Sequence, residues 1–519
     1  MKKNKIEVYR THIVINDYKL GNSQSIENCF SVFDKVTHQY NIQGMEYIED
    51  EQKLILPRGI DVYFIEKIFE EKAVYMSSYD DYIKFDDMKL KYLPRDDVQQ
   101  EALKFMLGID RYKNNNCSAQ LSLNLATGKG KTYCSIATSC YSGIKTIIIT
   151  YSTKWLQQWK ECILDYTNTK ENEVCMMISS PKILRTMKED PNKYKFILTS
   201  HSSIASFAKN HGWYAVTELF NKLKVGIKIF DEAHLNFKSM SMIDFYTNTY
   251  KTFYVTATPL RSSDEENEIY QYYMKNIPGI QLFKPTDPHT HYMALKYNSK
   301  PSYEVIQACR NQYGLDINKY VNYIINNENF YKLLRIIMKI IITKGGKTLI
   351  CIRTIEGINT VYQWIINNYP EFRFNTCILN SHVEDKSVIM KNTIILSTIK
   401  SSGTAVDIPY LQRTVILAEP FKSEIYARQT LGRTRGYNTE YIEVVDKGFS
   451  SIQKWFVHKK PIFEKYALSC KVININEREL NRMSEEIIQE RNSICVPPIY
   501  PNVLLYEYKS PLIYDNPIE

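Results

Sequence analysis

The chain has 519 residues, 44% of them hydrophobic and 24% charged, with a net charge of +9. This composition excludes a largely disordered chain, and the length exceeds one ordinary domain. The modest positive balance suits a polyanionic partner and equally a solvated, lysine-rich surface.

Eleven cysteines, an odd number without a CxxC pair, argue against a disulfide frame and against structural zinc. They point to a reduced, intracellular setting. The charged start, Met1 to Glu7, leads into no apolar signal core, and the longest apolar run, near Ile336 to Ile342, is interrupted by Lys339. A soluble protein without a signal peptide or membrane span is expected. The 40 tyrosines point to no mechanism.

Residues 1–90 carry no catalytic motif and read as a small α+β module. Within it, Met45 to Leu56 forms a predicted hairpin around the acidic turn Glu49-Asp50-Glu51, closed by Pro57-Arg58-Gly59. An accessory nucleic-acid-binding domain and a structural cap are equal readings of this module.

From 91 onward, β-rich runs alternate with helical stretches, the pattern of βαβ units around a buried parallel sheet. Strands are predicted at Leu121 to Leu125, Thr146 to Thr150, Phe196 to Ser200, Val225 to Phe230 and Thr252 to Thr256. Residues 285–302, with Pro285, Pro288 and Pro301, read as a linker between a first lobe over 91–284 and a second over 303–455. The second lobe has predicted strands at Thr348 to Ile352, Thr376 to Leu379, Thr393 to Ser397, Thr414 to Leu417 and Tyr441 to Val445. Residues 456–519 read as a helical extension ending in a Pro-rich tail.

In such sheets, functional loops lie at the C-terminal ends of strands, and the chemical motifs fall there. Ala126-Thr127-Gly128-Lys129-Gly130-Lys131-Thr132 follows one strand. Gly128 and Gly130 permit close backbone approach to phosphates, with Lys129 in the same loop. Lys131 reaches the β/γ-phosphates, and the Thr132 hydroxyl binds Mg²⁺. The first glycine of the usual GxxxxGK[ST] pattern is replaced by Leu125. Asp231-Glu232-Ala233-His234 follows a second strand: Asp231 is the metal-holding acid and Glu232 the candidate general base. Gln429-Thr430-Leu431-Gly432-Arg433-Thr434-Arg435 supplies Arg433 and Arg435 as candidates for stabilising a transferring phosphoryl group.

In order and spacing these motifs resemble motifs I, II and VI of superfamily 2 helicases, built from two RecA-like lobes, over roughly residues 90–455. Within the superfamily the chain looks most like the phage UvsW type and the poxvirus transcript-release type. The Ser397-Thr398-Ile399-Lys400-Ser401-Ser402-Gly403-Thr404-Ala405-Val406-Asp407-Ile408-Pro409 pattern, similar to motif V, is the closest point. The resemblance implies ATP with Mg²⁺ bound between the lobes, an adenine contact from Gln99, and further nucleotide contacts from Asp407 and Gln429. It also implies coupling of hydrolysis to nucleic acid through His234, Thr256 and Thr258. Nucleic-acid contacts are implied at Thr150, Trp155, Ser200, Arg353, Ser397 and Thr398; core packing is the stronger reading for Trp159. The family pattern places its last arginine where Gly436 stands, so either the loop shifts to deliver Arg435 or Arg433 acts alone.

The implied function is a monomeric ATP-dependent DNA helicase or translocase of 3′-to-5′ polarity and of viral or phage type. It would act on duplex, forked or single-stranded DNA beside replication, recombination or transcription machinery. An RNA helicase and the motor subunit of a restriction-type complex are the alternatives.

Overall fold

The computed structural model describes residues 6–493, apart from 35–38, 77–80, 126–128, 258–263, 283–289, 380–388, 400–407, 432–433, 435–437 and single positions at 20, 22, 313, 390 and 409. Two compact units divide the chain, with the boundary between residues 283 and 284.

The first unit opens with a small mixed sheet. Its strands are β1 (Ile6–Val8), β2 (His12–Ile15), β3 (Glu46–Ile48), β4 (Lys53–Pro57) and β5 (Val74–Tyr75). β5 runs parallel to β1, and the other pairings are antiparallel. The predicted hairpin is present as β3 and β4, with Gln52 turning at φ 50°. Gly59, just beyond β4, packs so tightly on the end of the helix Asp264–Met274 that an added Cβ would lie 1.9 Å from the Tyr273 carbonyl oxygen.

The large sheet of this unit contains β6 (Gln120–Leu125), β7 (Thr146–Thr150), β8 (Val174–Met177), β9 (Phe196–Ser200), β10 (Ile227–Asp231), β11 (Lys251–Thr256) and β12 (Gly279–Leu282). Every pairing is parallel, in the order β8-β9-β7-β10-β11-β6-β12. The central strands are buried on both faces, which explains continuous apolar runs such as Ile147-Ile148-Ile149. All five strands predicted here are present. The short strands β8 and β12 were not anticipated: four residues each give too little periodicity to read.

The second unit holds β13 (Thr290–Tyr297), β14 (Lys347–Ile352), β15 (Thr376–Leu379), β16 (Ile394–Ser397), β17 (Leu411–Ala418), β18 (Thr439–Asp446) and β19 (Ser469–Asn474). This sheet is also all parallel, in the order β15-β16-β14-β17-β18-β13-β19. The fold is therefore two RecA-like parallel sheets in tandem behind a small mixed N-terminal sheet.

Two expectations are corrected. The stretch read as a linker contains β13, an interior strand paired on both sides; its prolines fall outside the strand and take no donor from the ladder. The C-terminal extension is not purely helical, because β19 lies between the helices Ser450–Tyr466 and Glu477–Ser493. As a partly exposed edge strand, β19 lacks a clear apolar signal. Among the described residues no helix is long and apolar enough to cross a membrane.

Each unit also buries a lysine–carboxylate pair. Lys228 on β10 lies 2.6 Å from Asp244, both side chains fully buried, and Asp244 also accepts from the Tyr254 and Tyr273 hydroxyls. In the second unit, Lys459 lies 2.5 Å from Glu443, which accepts from the Tyr292 hydroxyl at 2.6 Å. Burial pulls both lysine amines below their usual range. Part of the high tyrosine content thus supplies phenol donors to buried carboxylates.

Candidate active site at the edge of the first sheet

Because the sheet is parallel, β6, β10 and β11, which are neighbours, all deliver their C-terminal ends to one edge. The helix Lys131–Ser142 begins there, after β6. Its N-cap Gly130 sits at φ 90°, and a Cβ on it would come within 2.1 Å of the Gln99 amide nitrogen, so only glycine fits. The helix stops at Gly143, φ 63°, a left-handed C-cap.

Gln99 belongs to the helix Asp97–Leu107, which is capped by Asp96. Gln99 is fully buried. Its Oε1 accepts from the Arg95 backbone N–H at 2.8 Å, and its Nε2 donates to the Lys129 carbonyl at 3.4 Å. It braces this helix against the phosphate loop.

Lys131 reaches across the edge to Glu232, Nζ to Oε1 3.3 Å, with both side chains largely buried. Glu232 turns off β10 with φ 49°, a left-handed conformation that swings its carboxylate toward β11. There Thr256 donates to Glu232 Oε2 at 3.4 Å, and His234 Nδ1 lies 2.7 Å from the same threonine hydroxyl. His234, Thr256 and Glu232 thus tie the ends of β10 and β11 together.

Asp231 accepts from the Trp159 indole N–H at 2.9 Å. Burial, and then the neighbouring Glu232 carboxylate, raise the Asp231 pKa to about 6 against the opposing pull of Lys131 and Trp159. Burial also pushes Glu232 upward, but Lys131 and then His234 outweigh it, leaving its carboxyl below the usual range. Two adjacent carboxylates facing one lysine leave the edge short of positive charge. A divalent cation held by Asp231 and the Thr132 hydroxyl would supply it, so the donor set fits Mg²⁺.

Of the expected site residues, the structure brings Gln99, Lys129, Gly130, Lys131, Thr132, Asp231, Glu232, His234 and Thr256 to this edge. Gly128, Thr258, Asp407, Arg433, Arg435 and the Gln429 side chain lie outside the described residues. Trp159 was read as core; a buried indole needs a hydrogen-bond partner, and here that partner is Asp231.

The residues expected to contact nucleic acid are placed as follows. Thr150, Ser200 and Ser397 are fully buried, and their hydroxyls are engaged. Thr150 donates to the Ser152 carbonyl, Ser200 caps the helix His201–His211, and Ser397 donates to the Leu379 carbonyl. They shape strand-end loops rather than offer free hydroxyls. Trp155 is 7% exposed and packs beside Tyr151, 46% exposed, so Tyr151 presents the open ring at this position. Thr398, next to Ser397, is partly exposed. Arg353, one-third exposed, lies 3.6 Å from Glu419, a buried acid that sequence reasoning missed and that also accepts from the Ile399 backbone N–H at 2.6 Å.

Residues 92–261 match the family model described as "Type III restriction enzyme, res subunit". The chain carries a ResIII helicase-family domain. A domain of this family is that of a helicase-type, ATP-dependent motor and implies ATP hydrolase activity. No curated protein matches the chain. Among solved structures it is similar to "The crystal structure of T4 UvsW", at 13% identity over 91% of this chain and 99% of that one, with a TM-score of 0.35. It is also similar to "S. cerevisiae Dbp5 bound to RNA and ADP BeF3", at 14% identity over 76% of this chain and 93% of that one, with a TM-score of 0.45.

Proposed function

We propose that the protein is a DNA helicase or translocase that uses ATP with Mg²⁺ to unwind or remodel duplex or branched DNA, or to displace complexes bound to it. The observation that carries this reading is the Lys131–Glu232 contact on the edge where β6, β10 and β11 end. It puts a phosphate-binding cation beside a carboxylate that the cation keeps ionised, the form a general base needs. Lys131 exchanges Glu232 for the β/γ-phosphates when nucleotide enters, freeing Glu232 to take a proton from the attacking water. Gly128 and Gly130 line the phosphate loop, and Gln99 sets adenine recognition at the loop it braces. Thr132 and Asp231 would hold Mg²⁺, which when bound neutralises phosphate charge.

Thr256, with His234 and Thr258, links hydrolysis to strand movement. Asp407, Gln429, Arg433 and Arg435 complete the nucleotide contacts, the arginines stabilising charge on the transferring group. Arg353 and Thr398 contact the phosphate backbone. DNA as the substrate, and 3′-to-5′ travel, rest on the motif V pattern of Ser397 to Pro409 and its resemblance to the UvsW type. The name of the matched family favours a second reading, the motor subunit of a restriction-type complex.

Steady-state ATP hydrolysis should be measured without nucleic acid and with single-stranded, duplex and forked DNA and matched RNA, beside Lys131→Ala. Stimulation by forked or duplex DNA, lost in the variant, is expected. Stimulation by RNA alone would overturn the DNA assignment, and DNA cleavage appearing only with a partner chain would favour the restriction reading.

A further inference from the structure

The edge of the first sheet opposite the phosphate loop carries a concentration of positive charge. A cleft of about 360 Å³ opens there, between β1 and β5 of the small sheet and the starts of β6 and β12. β6 separates it from the phosphate loop by six residues, roughly 20 Å at strand spacing. Arg10 and Arg58 line the cleft, and no acidic residue is among its described lining residues.

The position of Arg58 follows from Pro57-Arg58-Gly59. Pro57 ends β4, and Gly59 permits the close approach to the Tyr273 carbonyl described above. Arg58 is partly buried and makes no hydrogen bond or ion pair with any described residue; burial pulls its guanidinium below the usual range. Arg10 is fixed: its Nε and Nη2 donate to the Tyr250 carbonyl at 3.1 and 2.8 Å, and its guanidinium lies 5.1 Å from the Tyr250 ring centre. Behind it, the buried Lys251 ammonium donates to the carbonyls of Asn115, Asn116 and Ser118. Burial, and then the Arg10 charge, pull Lys251 down to about 8.

Among the described residues, no carboxylate pairs with any of these three cations. Buried positive charge without a counter-charge is costly, and an anionic ligand offsets it. Tyr75, 63% exposed, adds an open aromatic face at the mouth, suited to stacking on a base.

We propose that this cleft is a second ligand site, one that binds a phosphate group carried by a nucleotide or by a nucleic-acid strand, with Arg58 as its principal anchor. The site is separate from the nucleotide site at the phosphate loop and does not depend on the reading given above for that site.

The test uses the full chain carrying Lys131→Ala, which weakens the phosphate-loop site. Binding of ADP is measured by equilibrium dialysis, and binding of a fluorescein-labelled single-stranded oligonucleotide by anisotropy, each with and without Arg58→Glu. One probe is expected to bind about tenfold more weakly once the charge-assisted contact is lost, and which probe responds identifies the source of the phosphate. If it is the strand, the slope of log affinity against log salt should also fall by about one. In the otherwise unaltered chain, Arg58→Glu should leave basal ATP hydrolysis unchanged. Tyr75→Glu repeats the test at an exposed side chain should Arg58→Glu fail to fold by circular dichroism. Unchanged affinity for both probes in a folded variant would overturn the proposal.

Discussion

The two parallel sheets share one plan. Numbered within each sheet in chain order, both run 3-4-2-5-6-1-7. They differ in what the strand ends do. In the first sheet, the end of strand 1 leads to Lys131 and strand 5 ends at Asp231, followed by Glu232. Strand 6 ends at Thr256, and the side chains that meet the acids among the described residues include a lysine, an indole, a hydroxyl and an imidazole. In the second sheet, the residue after strand 5 is Glu419, which holds the Ile399 backbone. Strand 6 ends at Asp446, which binds the Ser299 N–H and hydroxyl just past strand 1, at 3.1 and 2.6 Å, and the Gly448 N–H at 2.9 Å. One topology thus presents carboxylates at the same edge twice. In the first sheet they remain available to a ligand; in the second they staple loops.

The sharpest way to break this comparison is to exchange the roles. Lys131→Ala should reduce ATP turnover by about a hundredfold or more. Ser299→Ala, after the matching strand of the second sheet, should leave turnover nearly unchanged and lower the melting temperature instead. Turnover assays and thermal melts on both variants decide it. Glu232→Gln should lower kcat by about 10²–10³ while nucleotide still binds, as expected for loss of a general base. Equal loss of binding would reduce Glu232 to a structural partner of Lys131.

The buried pairs extend the comparison to stability. Lys228→Met and Lys459→Met each strand a buried carboxylate and should cost about 3–5 kcal/mol. Denaturant melts should show Lys228→Met combined with Asp244→Leu recovering part of that loss, because no charge is then left unpaired.

The smallest effects concern pH. The Asp231 pKa, raised to about 6 in the folded chain, lies above its ordinary value of 3.8. Its contribution to stability is therefore full below about pH 4 and is lost as pH rises through 6. The nucleotide-free protein should gain from this group on acidification from pH 7 to 5, and Asp231→Asn should flatten that part of the melting curve. Trp159→Phe removes the N–H that favours the charged form of Asp231. The acid limb of kcat/KM should move to higher pH, by up to about one unit.

Much of this was legible from sequence where local chemistry repeats a simple pattern. Apolar runs such as Thr146–Thr150 announce interior strands, and Gly130-Lys131-Thr132 after a strand announces a phosphate loop. β13 was hidden by flanking prolines, and β19 by its exposed edge. Pairings between residues far apart in the chain left no local trace: Trp159 on Asp231, Arg353 near Glu419, and Asp446 on Ser299. The burial and internal partners of the Thr150, Ser200 and Ser397 hydroxyls were not legible either, because sequence shows residue type but not burial.

The most direct test is Mg²⁺-dependent ATP hydrolysis by the full chain on forked DNA, beside Lys131→Ala and Glu232→Gln. The account predicts DNA-stimulated turnover that both variants lose, with nucleotide binding retained in Glu232→Gln. Turnover that survives in either variant would contradict it.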